Sequence, residues 1–158
     1  ADLGYAVNAW TRSGRDEDDA RHYAGLDQLD DFLGASDAVI NVLPSTAATT
    51  GLLTAERLAH FVSGSIFVNV GRGTVLAAEA DLVEMLDNGP IAAAVLDVTE
   101  PEPPMEDSPL WTHPAITLTP HISGMTQVRS AAKLIANNVA RLRAGEQPFP
   151  MLDRSRGY

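Results

Sequence analysis

Ser65-Ile66-Phe67-Val68-Asn69-Val70-Gly71-Arg72-Gly73 is a run of β-branched and aromatic residues that stops at an arginine held between two glycines. Such a run predicts a buried central strand of a parallel sheet, and the glycines predict a sharp turn at its carboxyl end. In open α/β sheets, ligands bind outside the carboxyl ends of the strands. The stretch therefore delivers Arg72 to a candidate site.

On its amino-terminal side, residues 37–43 form a second apolar run, stopped by Pro44 and a Ser/Thr/Ala loop before a helix expected over 54–62. Earlier still, residues 5–11 read as a strand and Arg12-Ser13-Gly14-Arg15, followed by the acidic run 16–19, as an exposed loop. A short helix is expected over 26–33. On the carboxyl-terminal side, Leu82 and Leu86 sit one turn apart in a helix expected over 78–88, which Gly89-Pro90 stops. Residues 91–96 are the next strand. Residues 97–115 form a long loop interrupted by Pro101, Pro103, Pro104, Pro109 and Pro114, and a last short strand covers 116–119, with Pro120 at its rim. From 126 to 144, Val128, Ala132, Ile135, Val139 and Leu142 mark an amphipathic helix that Gly145 ends. Alternating strands and helices predict an α/β fold with a doubly wound parallel sheet, because parallel neighbours need right-handed helical crossovers.

The 158 residues suit one domain able to bury its own core, and none is cysteine, which removes disulfides, thiol nucleophiles and thiolate metal sites. Twenty-one acidic against eleven basic residues give a formal charge of −10, which argues against nucleic acid or an anionic membrane as a partner. An anionic substrate would have to be drawn in by local arginines. No apolar run approaches the roughly 20 residues of a membrane-spanning helix, and the first residues lack the pattern of a signal peptide. A cytoplasmic location is the expectation.

The residues with chemistry follow successive strands: Arg72 after one, Asp97 and Glu102 after the next, His121 after the one beyond. Parallel strands would place these ends on one rim. An arginine offers a planar fork to a carboxylate, a histidine gives or takes a proton near neutrality, and a carboxylate beside it favours the charged form. Together they suit reduction of a 2-oxo acid. Taken singly, each has a plainer reading: a structural ion pair for Arg72, a solvated loop carboxylate for Glu102. His22, His60 and His113 are read as surface or satisfied core histidines, Trp10 and Trp111 as packing residues. Thr49 and Asp97 could equally serve as cap or turn residues.

Asn69-Val70-Gly71-Arg72-Gly73, Leu96-Asp97-Val98 with Glu102-Pro103, and Thr119-Pro120-His121-Ile122 resemble the D-2-hydroxyacid dehydrogenases along essentially the whole chain. Ser108-Pro109-Leu110-Trp111-Thr112-His113-Pro114 and the ending Asp153 to Tyr158 are similar to the glyoxylate/hydroxypyruvate reductase branch of that family. The resemblance implies a Rossmann-type NAD(P)-binding domain acting on a small 2-oxo acid. It implies that Arg72 binds the substrate carboxylate and carbonyl, that His121 protonates the carbonyl oxygen as hydride arrives, and that Glu102 holds His121 charged, with Glu100 the second candidate for that carboxylate. It also implies cofactor contacts at Leu43, Pro44 and Thr49, at Val70 and Gly71 beside the nicotinamide, at Asp97 on its carboxamide, and at Ser123 and Gly124, with Arg72 and His121 bordering the same pocket.

An acidic residue after the second strand of this fold would hold the ribose of NAD. Here Trp10 and Thr11 are followed by Arg12 and Ser13, which with Arg15 suit the 2′-phosphate of NADP; NADP is therefore preferred over NAD, the alternative being two solvated arginines neutralised by residues 16–19. The glycine-rich turn Gly-x-Gly-x-x-Gly occurs nowhere, since Gly71-Arg72-Gly73 is followed by Thr74-Val75-Leu76. By comparison with the family, the fold is expected to be incomplete at its N-terminus. Residues 1–124 would be a partial dinucleotide-binding domain, and 125–158 a helix and tail that pack back on a substrate domain. A carboxyl-terminal fragment of a homodimeric parent, with little activity alone, is the expectation. A non-catalytic nucleotide-binding or interaction module of the same fold is the alternative.

Overall fold

The computed structural model describes residues 4–14 and 20–152. Arg15, expected at the 2′-phosphate, the acidic run 16–19 and the ending 153–158 lie outside the described residues. The chain divides into two compact units, Ala1–Pro120 and His121–Tyr158.

In the first unit every strand pairing is parallel. A two-stranded sheet joins β1 (Asn8–Thr11) to β2 (Arg21–Ala24), and a four-stranded sheet runs β3 (Ala38–Asn41), β4 (Ser65–Asn69), β5 (Ile91–Leu96) and β6 (Ile116–Leu118) in chain order. Parallel neighbours require crossovers: α2 (Ala55–Leu58) joins β3 to β4 and α3 (Glu79–Asp87) joins β4 to β5, whereas α1 (Leu29–Leu33) leads from the two-stranded sheet into β3 and the proline-rich loop joins β5 to β6. The α/β parallel architecture expected from the sequence is thus present. β2 was not anticipated: of Arg21-His22-Tyr23-Ala24 only Tyr23 is buried, so four residues with one core position give almost no periodic signal.

The strand that opened the reading is shorter than its apolar run. β4 ends at Asn69, and Gly73–Val75 is already a 3-10 turn. Along β4 the burial alternates, with Ser65, Phe67 and Asn69 inward. Phe67 is fully buried and meets Phe61 edge to face at 6.0 Å, joined in the core by Leu33, Leu58, Leu82, Ile91 and Leu96. Burial of such side chains contributes about 1.5–3 kcal/mol apiece. Thr54 caps α2 by accepting from the Arg57 amide, as its position before the apolar turn predicts.

The proline-rich loop is pinned. Ser108 donates to Glu79 of α3 at 2.7 Å, and its oxygen caps the turn Pro109–Trp111, which buries Leu110. Trp111 departs from the packing role expected of it: its ring is about half exposed at 51 %, and its indole nitrogen donates to the Met105 carbonyl. Trp10 packs on the core as expected, its indole bonded to the Gly25 carbonyl at 2.7 Å. His113 is structural: Nδ1 accepts from the Ala115 amide, which leaves Nε2–H facing Asp87 at 3.2 Å.

The second unit contains α4 (Val128–Arg143), with the tail hydrogen-bonded back through Phe149 N to Asn138 Oδ1 and an Arg141–Glu146 ion pair at 3.2 Å. None of the helix's residues is buried, the stripe Val128, Ile135, Val139 and Leu142 included. No described helix is long and apolar enough to cross a membrane.

Candidate functional site

Because β3 to β6 are parallel, their carboxyl ends open onto one edge of the sheet, and the loops there are cross-linked in order. The loops after β3 and β4 are zipped by backbone bonds, with Gly51 N on Thr74 O (2.8 Å), Leu53 N on Val75 O (2.9 Å) and Ala77 N on Leu53 O (2.9 Å). Thr74 also donates to the Ser45 hydroxyl at 2.9 Å.

The loops after β4 and β5 meet at Gly73, where a Cβ would overlap the Thr99 carbonyl group and come 2.6 Å from the Glu100 amide nitrogen. Only a glycine permits backbone to approach backbone this closely. The ends of β5 and β6 are joined by Thr119, whose amide bonds Leu96 O at 3.0 Å and whose hydroxyl donates to Asp97. Asp97 is 3 % exposed.

Arg72 stands at the centre of this rim. Its side chain is exposed, and one guanidinium nitrogen, Nη1, donates to the neighbouring Gly71 carbonyl at 2.7 Å. Among the described residues it forms no ion pair, so the plainer reading of a structural salt bridge does not hold there. A guanidinium carries five N–H donors, and four remain for an incoming anion.

Asp97 lies at the end of β5 and the exposed Glu102 in the loop beyond it, both in the unit that carries Arg72. His121 begins the second unit, directly after Pro120, and its φ of 53° lies in the left-handed region. Few non-glycine residues adopt that conformation outside turns and functional sites. Ser123 and Gly124 follow it.

Leu43 and Pro44 are half-buried at the end of β3. Thr49, expected to touch a nucleotide, spends its hydroxyl on its own turn, donating to Pro44 O at 2.6 Å and accepting from the Thr46 amide at 2.9 Å. It shapes the loop that carries Leu43 and Pro44. Val70 is half-buried and Gly71 buried beneath the rim.

Arg12 and Ser13 follow the last residue of β1, both exposed, and the described residues 11–14 include no carboxylate. Among the described residues Arg12 makes no ion pair. These residues fit a phosphate on a ribose, and among the described residues no glycine-rich turn of the pyrophosphate-binding pattern occurs.

Asn41 and Asn69, buried at the ends of β3 and β4 and hydrogen-bonded to each other, were given no role of their own by the sequence. Each is a lone amide closing an apolar strand just before the ligand-facing loop, and that placement was the available signal.

The family model described as D-isomer specific 2-hydroxyacid dehydrogenase, NAD binding domain, matches residues 1–123. The glyoxylate/hydroxypyruvate reductase A of Serratia proteamaculans is 39% identical over 156 residues, 99% of this chain and 50% of the relative. That of Salmonella paratyphi B is 38% identical over 155 residues, 98% of this chain and 49% of the relative. The chain thus spans about half the length of the curated relatives it matches. Among solved structures, a D-isomer specific 2-hydroxyacid dehydrogenase from Xanthobacter autotrophicus Py2 in complex with NADPH and MES is similar with a TM-score of 0.92 and 41% identity, covering 98% of this chain and 64% of that one. The NADPH-dependent glyoxylate/hydroxypyruvate reductase of Sinorhizobium meliloti, in complex with NADP and sulfate, gives a TM-score of 0.91 and 33% identity, covering 99% and 51%.

Proposed function

Because the chain belongs to the D-isomer specific 2-hydroxyacid dehydrogenases, through their NAD-binding domain, we propose that it carries the cofactor rim and catalytic residues of an NADP-dependent reductase of small 2-oxo acids. The observation that carries this reading is the rim itself: Arg72, exposed and with most of its donors uncommitted, stands beside the strand end that bears Asp97 and leads to Glu102. The names of the relatives, glyoxylate/hydroxypyruvate reductase A, point to the substrate class.

In this proposal Arg72 clamps the substrate carboxylate through parallel N–H bonds, which orients the 2-oxo carbonyl. His121 gives its proton to the carbonyl oxygen as that oxygen gains charge, and Glu102 favours the imidazolium. Glu100 is second in line for that role. The reduced dinucleotide, when bound, supplies the hydride. Leu43, Pro44, Val70 and Gly71 border it, with Asp97 at its carboxamide and Ser123 and Gly124 beyond, while Thr49 acts through the turn it holds. Arg12, Ser13 and Arg15 take its 2′-phosphate, which selects NADP over NAD.

Residues 1–124 hold the dinucleotide rim and 125–158 the helix that packs on a substrate domain. We place the enzyme in the cytoplasm, in keeping with a chain without cysteine, and as a homodimer by its resemblance to the family; light scattering reads the assembly.

The test joins this chain to the portion of the Serratia relative that it does not span. NADPH oxidation by this completed enzyme is followed with glyoxylate and hydroxypyruvate. Turnover is expected, and His121→Gln is expected to lower kcat by about 10²–10⁴-fold, the span of general acid catalysis. Absence of turnover with both acids, or an unchanged kcat in His121→Gln, overturns the assignment.

A further inference from the structure

Two asparagines that this chemistry does not use lie side by side beneath the rim. Asn41 on β3 and Asn69 on β4 are register partners, 6 % and 0 % exposed. Burying a primary amide is costly unless its donors and acceptor find partners. Asn41 Nδ2 donates to Asn69 Oδ1 at 2.8 Å, and Asn41 Oδ1 accepts from Leu43 N at 3.1 Å. Asn69 Oδ1 also accepts from Gly71 N at 3.2 Å, while its Nδ2 donates to Arg72 O at 3.1 Å. The network fixes the orientation of the Asn69 amide, because a flip would set donor against donor at Gly71 and acceptor against acceptor at Arg72. Beyond each other, the two side chains bond, among the described residues, to the loops that follow β3 and β4.

A separate observation shows that those loops are seated on each other. A Cβ at Gly71 would lie 2.7 Å from Asn41 Nδ2 and 2.8 Å from the Leu43 carbonyl oxygen. The strand ladder has ended at Asn69 and the next 3-10 turn starts at Gly73. Between them the Arg72 carbonyl is held by Asn69, and the exposed Arg72 side chain is tied by Nη1 to the Gly71 carbonyl alone. The direction of the guanidinium is therefore inherited from a backbone that Asn69 sets.

We propose that Asn69, braced by Asn41, is the positioning residue that aims Arg72 at the substrate carboxylate. This rests on the reading of Arg72 as the carboxylate clamp. An apolar residue at either position would keep the strand and its burial but release the loop, and a shift of the order of 1 Å in a positioning group can cost about 10²-fold in rate.

The experiment uses the completed enzyme with Asn69→Ala and with the double variant Asn41→Val/Asn69→Val, which removes both amides together and so leaves no widowed partner between them. Phe67→Leu, in the core of the same strand, is the control for lost stability. Both asparagine variants are expected to raise KM for glyoxylate about ten-fold or more, whereas Phe67→Leu lowers the melting temperature and leaves KM within about two-fold. Hydrogen exchange on the unsubstituted enzyme gives a reading that needs no variant: the Gly71 and Leu43 amides should exchange at least about ten-fold slower than in an unstructured peptide. Unchanged KM in the folded asparagine variants, a KM that merely follows melting temperature across all three, or unprotected amides overturns the inference. If Arg72→Lys leaves KM unchanged, the clamp reading fails instead, and the amide exchange still reports on the pair.

Discussion

Gly73→Ala is the smallest change that should separate the loops on which the site depends. The added methyl would overlap the Thr99 carbonyl group and reach 2.6 Å from the Glu100 nitrogen, where ordinary contact begins near 3.4 Å. Both obstacles are backbone, so no side-chain rotation relieves them. The loops after β4 and β5 must part by the better part of an ångström, which moves Arg72, the residue before Gly73, relative to the segment that leads to Glu102. Overpacking of this kind costs typically 1–3 kcal/mol, and misplacement on this scale about 10²-fold in rate. The two effects have separate assays. Thermal melting of the completed enzyme should fall by about 2–4 °C for each kcal/mol lost, and kcat/KM for glyoxylate should fall about 100-fold at a temperature where the variant remains folded. A variant whose melting temperature drops as expected but whose kcat/KM stays within about two-fold would refute the claim that this contact sets the rim. One unchanged in both would refute the close approach itself.

Three further substitutions probe other parts of the structure. Arg72→Lys keeps the charge but loses the planar fork, so KM for the 2-oxo acid should rise about 10- to 100-fold in steady-state kinetics while NADPH affinity by fluorescence titration stays within about two-fold. Arg12→Glu should weaken NADPH by about 10- to 100-fold and improve the use of NADH, read as the ratio of the two kcat/KM values, because a charge-assisted bond to the 2′-phosphate becomes an acceptor for a ribose hydroxyl. Phe67→Ala empties the centre of β4 against Phe61 and should cost about 3–5 kcal/mol in urea unfolding.

Much of the fold was legible because its central strands are long apolar runs with abrupt stops. Residues 91–96 coincide with β5, and Gly89-Pro90 lies just beyond the end of α3. The strand ends were legible for the same reason: Asp97 follows β5 directly, and Arg72 and His121 come three residues after the last residues of β4 and β6. β2 escaped because one buried residue in four makes no pattern. The over-long reading of β4 arose because Val70 prolongs the apolar run past the last ladder residue, and hydropathy does not register the Asn69 side chain turning the backbone. Asn41 and Asn69 themselves could be seen as residues but not as a pair: they are 28 positions apart, and only the parallel register of β3 on β4 brings them together. For Thr49 the turn role was legible beside the ligand contact, and its bonds to Pro44 O and Thr46 N supply the turn.

β3 closes one side of the four-stranded sheet, its single ladder partner being β4. Its outward residues are not the lysines or prolines that usually blunt a strand edge: Ile40 is 60 % exposed, Val42 just beyond the strand is 71 % exposed, and Ala38 faces Ile66 of β4. Among the described residues β3 has no second ladder partner, and a strand edge flanked by exposed apolar side chains favours pairing with another extended segment. The conditions under which the 158-residue chain is handled therefore matter as much as its folded stability. Pairing of this kind would depend on concentration, and the formal charge of −10 opposes it.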